Sequence, residues 1–294
     1  MLRKFLVTAF IFTVSCIGMA QKDYQFIGGI QLNDSLTITY KLDISEINGE
    51  VKGYSITDLG GTYETKSSVF GEYDEEKKEL SFRETQTIYT KTKLEPDYEF
   101  CYINTTLKNF SLGKTKEAKA KFMGLFADNT PCINGDLFIS SAEKIQAKMM
   151  KVTERINKMK RIPDSVKQRF KPLKMLDSLN MNILKENEVL SLFSKRNRIT
   201  FSIHDGGKED GDRISIFANG RPILSNYEAK NTKQVLMVDL LDNKTEIIIK
   251  ALNEGTIAPN TVVVEIEDGT NSIKALSNLK KDESTQIDIL KVKM

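Results

Sequence analysis

Residues 198–220 read RITFSIHDGGKEDGDRISIFANG. Ile199, Phe201 and Ile203 alternate with Thr200, Ser202 and His204, and beyond an acidic window Ile214, Ile216 and Ala218 alternate with Ser215, Phe217 and Asn219. A period of two places one set of side chains on each face of an extended strand, the pattern of a half-buried β-strand. The two flanks are therefore strands, and the window between them is their connection.

The same alternation continues toward the C-terminus. Leu236, Val238 and Leu240 repeat it, as do Ile247, Ile249 and Ala251, then Val262, Val264 and Ile266, then Ile287 and Ile289. Asn219-Gly220, Asp242-Asn243, Asn253-Glu254-Gly255, Pro259-Asn260 and Asp268-Gly269 punctuate them as turns. Short strands at this spacing predict an antiparallel β-sandwich over residues 181–294.

Residues 21–141 also read as strands, in a different style. Ser35 to Leu42 (SLTITYKL) alternates, and Glu79 to Phe82, Tyr98 to Ile103 and Asp136 to Ile139 are further strand pieces. Three segments share a central glycine: Val51-Lys52-Gly53-Tyr54-Ser55, Val69-Phe70-Gly71-Glu72-Tyr73 and Phe122-Met123-Gly124-Leu125-Phe126. Glycine inside a strand marks a bend or a close backbone approach, so repeated glycines let a sheet curl. The prediction is an antiparallel meander forming a curved sandwich or a small barrel.

Between these regions, at 142–180, the period changes. Ile145, Met149, Val152, Ile156 and Met159 recur at helical steps, and Pro163 opens a second stretch through Val166 and Phe170 to Leu179. Residues 143–177 hold eleven Lys and Arg against four acids. Such a segment either rests as a solvated face against acidic neighbours or touches an anionic surface, and Phe170 alone interleaves the basic residues, which argues against nucleic acid.

The N-terminus reads as an export signal. Arg3 and Lys4 precede an apolar run from Phe5 to Ser15 and small residues up to Ala20. That run falls short of the roughly 20 residues a membrane span needs, and it suits cleavage after Ala20. A lipidated Cys16 is the rival reading, although Thr13-Val14-Ser15 departs from a leucine-led lipobox. Export places the chain in the periplasm, at the outer membrane or outside the cell. Cys101 and Cys132 are then read as a disulfide.

The window HDGGKEDGDR (204–213) carries the one candidate site. Asp205, Asp210 and Asp212 could turn their oxygens inward, with Glu209 or a backbone carbonyl helping to complete the roughly six to eight oxygens that Ca²⁺ takes. The spacing D-x4-D-x-D is not an EF-hand, and Asp210-Gly211 is also a common hairpin dipeptide, so a plain turn remains the other reading.

The run I-x-D-x-G-x-x-D-G-D-x-I-S-I-x-x-N-G at 203–220, with Ala251 to Gly255 and Pro259-Asn260-Thr261, resembles a C-terminal domain of uncharacterised secreted two-domain β proteins of Bacteroidota. The resemblance covers mainly residues 195–292. It implies an exported β-sandwich and supplies no catalytic residues.

Enzyme chemistry finds little support. His204 is the sole histidine, no G-x-S-x-G elbow is present, and no phosphate-cradling glycine loop stands between a strand and a helix. A carboxylate pair for glycoside hydrolysis stays open, because only tertiary distances identify one. The expectation is a non-enzymatic binding or interaction protein of the cell envelope or surface, its partner a protein or glycan. If the acidic window binds an ion, that ion is calcium and holds a loop of the C-terminal domain in shape. The alternative is a carrier of a small apolar ligand in a lipocalin-like N-terminal barrel. A glycan platform is weakened by the absence of Trp.

Overall fold

A computed structural model describes residues 22–33, 35–94, 98–159, 161, 163 and 181–292. The proposed signal, Cys16 and the second connector helix beyond Pro163 lie outside the described residues. Eight strands form the N-terminal part: β1 (Lys22–Gln31), β2 (Thr37–Ile47), β3 (Glu50–Thr57), β4 (Thr65–Asp74), β5 (Glu79–Thr90), β6 (Tyr102–Leu107), β7 (Glu117–Leu125) and β8 (Pro131–Ser141). Each pairs antiparallel with the next, and β8 returns to pair with β1. The meander therefore closes into an eight-stranded up-and-down barrel, resolving the choice between barrel and curved sandwich.

The central glycines make this closure possible. A Cβ on Gly53 would lie 2.0 Å from the Asp43 carbonyl oxygen, and one on Gly71 would lie 2.2 Å from that of Ser81. Only glycine admits such close strands. The hairpin between β2 and β3 turns on Asn48 and Gly49, both at positive φ, as an Asn-Gly turn of type I′ requires.

The inside of the barrel is packed over much of its length. Phe26, Tyr40, Leu42, Ile44, Val51, Val69, Leu80, Phe82, Leu107 and Leu137 are buried together. Each such side chain contributes about 1.5–3 kcal/mol relative to exposure. The connection between β6 and β7 folds back to close one end: Phe110 and Leu112 join the same cluster, and the Phe110 ring lies 5.6 Å from that of Phe26. Cys101 and Cys132 are disulfide-bonded, tying the approach to β6 to β8 across β7. The crossing passes over Gly124, where a Cβ would sit 2.5 Å from the Cys101 Sγ.

Helix α1 (Ala142–Lys158) follows β8 directly, with the Ser141 hydroxyl accepting from the Lys144 amide as its N-cap. The Lys144 Nζ lies 2.7 Å and the Lys148 Nζ 3.4 Å from Glu117 of β7, so the basic helix rests partly on an acid of the barrel. No residue of α1 is buried, and Val152 of its apolar stripe and Met159 at its C-cap are exposed. No helix of the described residues is long and apolar enough to cross a membrane.

The C-terminal part holds ten strands: β9 (Asn182–Leu184), β10 (Val189–Ser194), β11 (Arg198–Asp205), β12 (Arg213–Ala218), β13 (Arg221–Glu228), β14 (Gln234–Asp239), β15 (Lys244–Ala251), β16 (Val262–Glu267), β17 (Ser272–Ser277) and β18 (Ser284–Lys291). One layer runs β14-β11-β16-β17-β9, the other β13-β12-β15-β18-β10. Buried residues of both layers, among them Phe201, Ile203, Ile214, Ile249, Val264 and Ile287, belong to a single core.

Two features depart from the sequence reading. The expected antiparallel order fails at β10 with β18 and at β9 with β17, which pair in parallel. β9–β10 and β17–β18 each pass from the first layer to the second, and the two passages run side by side in the same direction, so both pairs are parallel. The second departure is that the barrel and the C-terminal part share a sheet. The far end of β5 leaves β6 and pairs with β10, at Thr90 with Ser191 and Tyr89 with Leu192.

Candidate functional site

The barrel's second end is open. The β1–β2, β3–β4 and β5–β6 connections and the start of β8 surround a cavity of about 790 Å³. Ile30, Leu32, Ile38, Phe100, Tyr102 and Phe122 line it, and Thr57, Thr65 and Ser67 add hydroxyls. Four large apolar side chains of this lining are exposed: Leu36 (46%), Tyr63 (68%), Tyr98 (50%) and Ile133 (43%). Clustered exposure of this kind marks a binding surface more often than scattered exposure does. The disulfide stands at the same rim, since Cys101 and Ile133 are both lining residues.

Glu84 lies on the cavity lining, on β5 where that strand parts from β6. Its Oε2 accepts the Ile103 amide at 2.8 Å, and its Oε1 accepts from the Ser55 hydroxyl at 2.5 Å and the Tyr40 hydroxyl at 3.1 Å. Burial raises its pKa above the usual carboxylate range, against these hydrogen bonds, which lower it. The carboxylate thus fills the place of a missing ladder bond. Asp58, Glu84 and Glu99 are the charged residues of the lining, and no Lys or Arg stands among the described residues that form it.

The acidic window lies in the C-terminal part. It is not a hairpin: β11 belongs to one layer and β12 to the other, so residues 206–212 cross between them. This corrects the hairpin expectation alone: Asp210-Gly211 sits in a loop that crosses between layers. Only Gly211 of that pair has positive φ. The structure brings three of the four predicted ligands together, with one oxygen each of Asp205, Asp210 and Asp212 within 4.8 Å of one another. Glu209 is engaged elsewhere, its Oε1 accepting the Asn231 amide at 2.6 Å. His204 turns its Nδ1 to the Asp205 carbonyl at 2.9 Å, and its Nε2 lies 3.6 Å from Glu265.

The crossover is fastened to the β15–β16 connection. Asp212 Oδ2 accepts the Thr261 amide at 2.7 Å, Asp210 Oδ2 accepts the Ile257 amide at 2.7 Å, and the Asn253 Nδ2 donates to the Gly211 carbonyl at 2.8 Å. Gly255, at positive φ, leaves the room that the Asp210 carboxylate occupies, since a Cβ there would lie 2.5 Å from it. Burial, then the charges of Asp210, Asp205 and Glu254, push Asp212 up to about 6 against the Thr261 hydrogen bond.

The sequence offers Asn253, Asn260 and Thr261 as turn residues and as part of the resemblance, without linking them to the acidic window, and it does not single out Glu84. Pro259-Asn260-Thr261 signals a loop without saying which strand end that loop meets. A lone glutamate in an otherwise alternating strand gives no hint that it replaces a backbone hydrogen bond.

No family model matches the chain, and no curated protein matches its sequence.

Proposed function

We propose that this is an exported, non-enzymatic binding protein of the cell envelope or surface whose barrel mouth takes a small apolar ligand, with the C-terminal layers forming a β-sandwich that braces the barrel. The observation that carries the reading is the cavity: one barrel end is plugged by Phe110 and Leu112, while the other holds about 790 Å³ ringed by exposed Leu36, Tyr63, Tyr98 and Ile133. That volume is in the range of sites for small organic ligands, roughly 300–1,000 Å³. Its lining charges are all acidic, which favours a ligand whose polar end is neutral or cationic over a free carboxylate. The Cys101–Cys132 bond fits an oxidising compartment and supports export.

Native mass spectrometry of the purified chain, before and after organic extraction, tests the reading. Recovery of a neutral or cationic apolar molecule, and its rebinding to the extracted protein, is the expected result. A protein that carries nothing and rebinds neither an apolar alcohol nor an apolar amine is not a carrier.

A further inference from the structure

Asp205 closes β11 and Asp212 precedes β12, and the change of layer between these strands brings their carboxylates together with that of Asp210. A group of acids is not by itself a site, because exposed carboxylates are well solvated. Two of these three are not exposed: Asp205 is 4% and Asp212 1% accessible. Each commits one oxygen to the backbone, Asp205 Oδ1 to the Gly207 amide at 2.6 Å and Asp212 Oδ2 to the Thr261 amide at 2.7 Å. The other oxygen of each, Asp205 Oδ2 and Asp212 Oδ1, is buried and has no hydrogen-bond partner. An unpaired buried carboxylate oxygen is costly, and two beside a third carboxylate add mutual repulsion. A cation removes both costs at once.

We propose that Asp205, Asp210 and Asp212 form a calcium site. The donors are oxygens alone, because the His204 imidazole turns to the Asp205 carbonyl and to Glu265. Oxygen donors select a hard cation over a transition metal. Each carboxylate is already oriented by a backbone amide, from Gly207, Ile257 or Thr261, so the three cannot rearrange freely. Calcium tolerates an irregular set completed by backbone carbonyls and water, whereas magnesium demands near-octahedral geometry. Bound there, the ion locks the β11–β12 crossover to the β15–β16 connection and so ties the two layers together at one end. The site is independent of the barrel-mouth reading.

Calorimetric titration of the full chain, stripped with EDTA, with calcium chloride and separately with magnesium chloride tests this. One saturable calcium heat is expected, with magnesium at least about tenfold weaker. At a hundredfold excess over Kd, calcium raises the melting temperature by about 5–10 °C. Glu209→Gln keeps the binding, because that side chain serves the Asn231 amide, and Asp212→Asn removes it. Absence of both a saturable heat and a melting shift in the unsubstituted chain overturns the proposal. Calcium binding that persists unchanged in both Asp205→Asn and Asp212→Asn overturns it equally.

Discussion

Leu192 of β10 stands opposite Tyr89 of β5, and both side chains are buried in the core of the C-terminal layers. A barrel strand thus supplies part of the neighbouring core. Tyr89 is anchored from the barrel side as well, its hydroxyl donating to Glu64 Oε1 at 2.8 Å. The Phe100 ring at the mouth meets Phe193 of β10 edge-on at 5.4 Å. The two parts are therefore coupled through packing and through a continuous sheet.

That coupling predicts one cooperative unfolding transition for barrel and C-terminal layers together. Tyr89→Ala, which removes a buried ring and its hydrogen bond, lowers stability by about 3–5 kcal/mol. It does so for both parts, read by amide exchange in β2 and in β16 alike. Exchange that rises in the barrel alone contradicts the shared core.

Gly124 and the disulfide are predicted to depend on one another. With 31 residues of separation, the bond contributes about 3–4 kcal/mol in the chain-entropy model. Gly124→Ala places a methyl against both sulfurs, and the expected result is a lower melting temperature under oxidising conditions. In the Cys101→Ser/Cys132→Ser background the same substitution costs less, because two hydroxyls are smaller than the bridge. The cost that remains comes from the Ile133 carbonyl oxygen, 2.5 Å from the added methyl in both backgrounds. An equal cost in both backgrounds, measured by denaturant titration, breaks the link.

Glu84 is predicted to be structural. Glu84→Ala leaves the Ile103 amide and the Tyr40 and Ser55 hydroxyls without their acceptor, at a cost of about 2–4 kcal/mol. Urea unfolding checks it, and a loss under about 0.5 kcal/mol would mean that water replaces the carboxylate.

Acid sensitivity should come from Glu265 on β16. Burial works to raise its pKa, and hydrogen bonds and charge from Lys233 and Lys274 outweigh burial, holding it at about 2. A carboxylate depressed in the fold contributes stability above its unfolded pKa, near 4.5, and loses it as pH falls toward 2. The expected loss across that window is about 1–3 kcal/mol. Glu265→Gln flattens the profile between pH 5 and pH 2.5, and a variant whose acid profile matches the parent rules this source out.

The strand pattern made much of this fold legible. Alternation at Ile199 to Ile203, Ile247 to Ala251 and Val262 to Ile266 marked strands that are present, and Gly53, Gly71 and Gly124 marked a sheet that curls. What alternation cannot carry is partner choice. Asn182–Leu184 is three residues long, and β13, a largely exposed edge strand, shows little burial contrast to read. The parallel pairs and the passage of β5 into a second core follow from long-range packing. The acidic window was half legible: its composition announced a cluster, while burial of Asp205 and Asp212 and the diversion of Glu209 depended on loops some fifty residues downstream and twenty away.

The barrel mouth is tested most directly by a single-tryptophan titration. The chain has no tryptophan, so Tyr63→Trp places the only indole on the rim of the cavity. Titration with N-phenyl-1-naphthylamine, a neutral apolar acceptor, should give saturable energy transfer with one site per chain. An apolar alcohol should compete with it more strongly than the fatty acid of equal length. Energy transfer that rises without saturation, or none at all, contradicts the account.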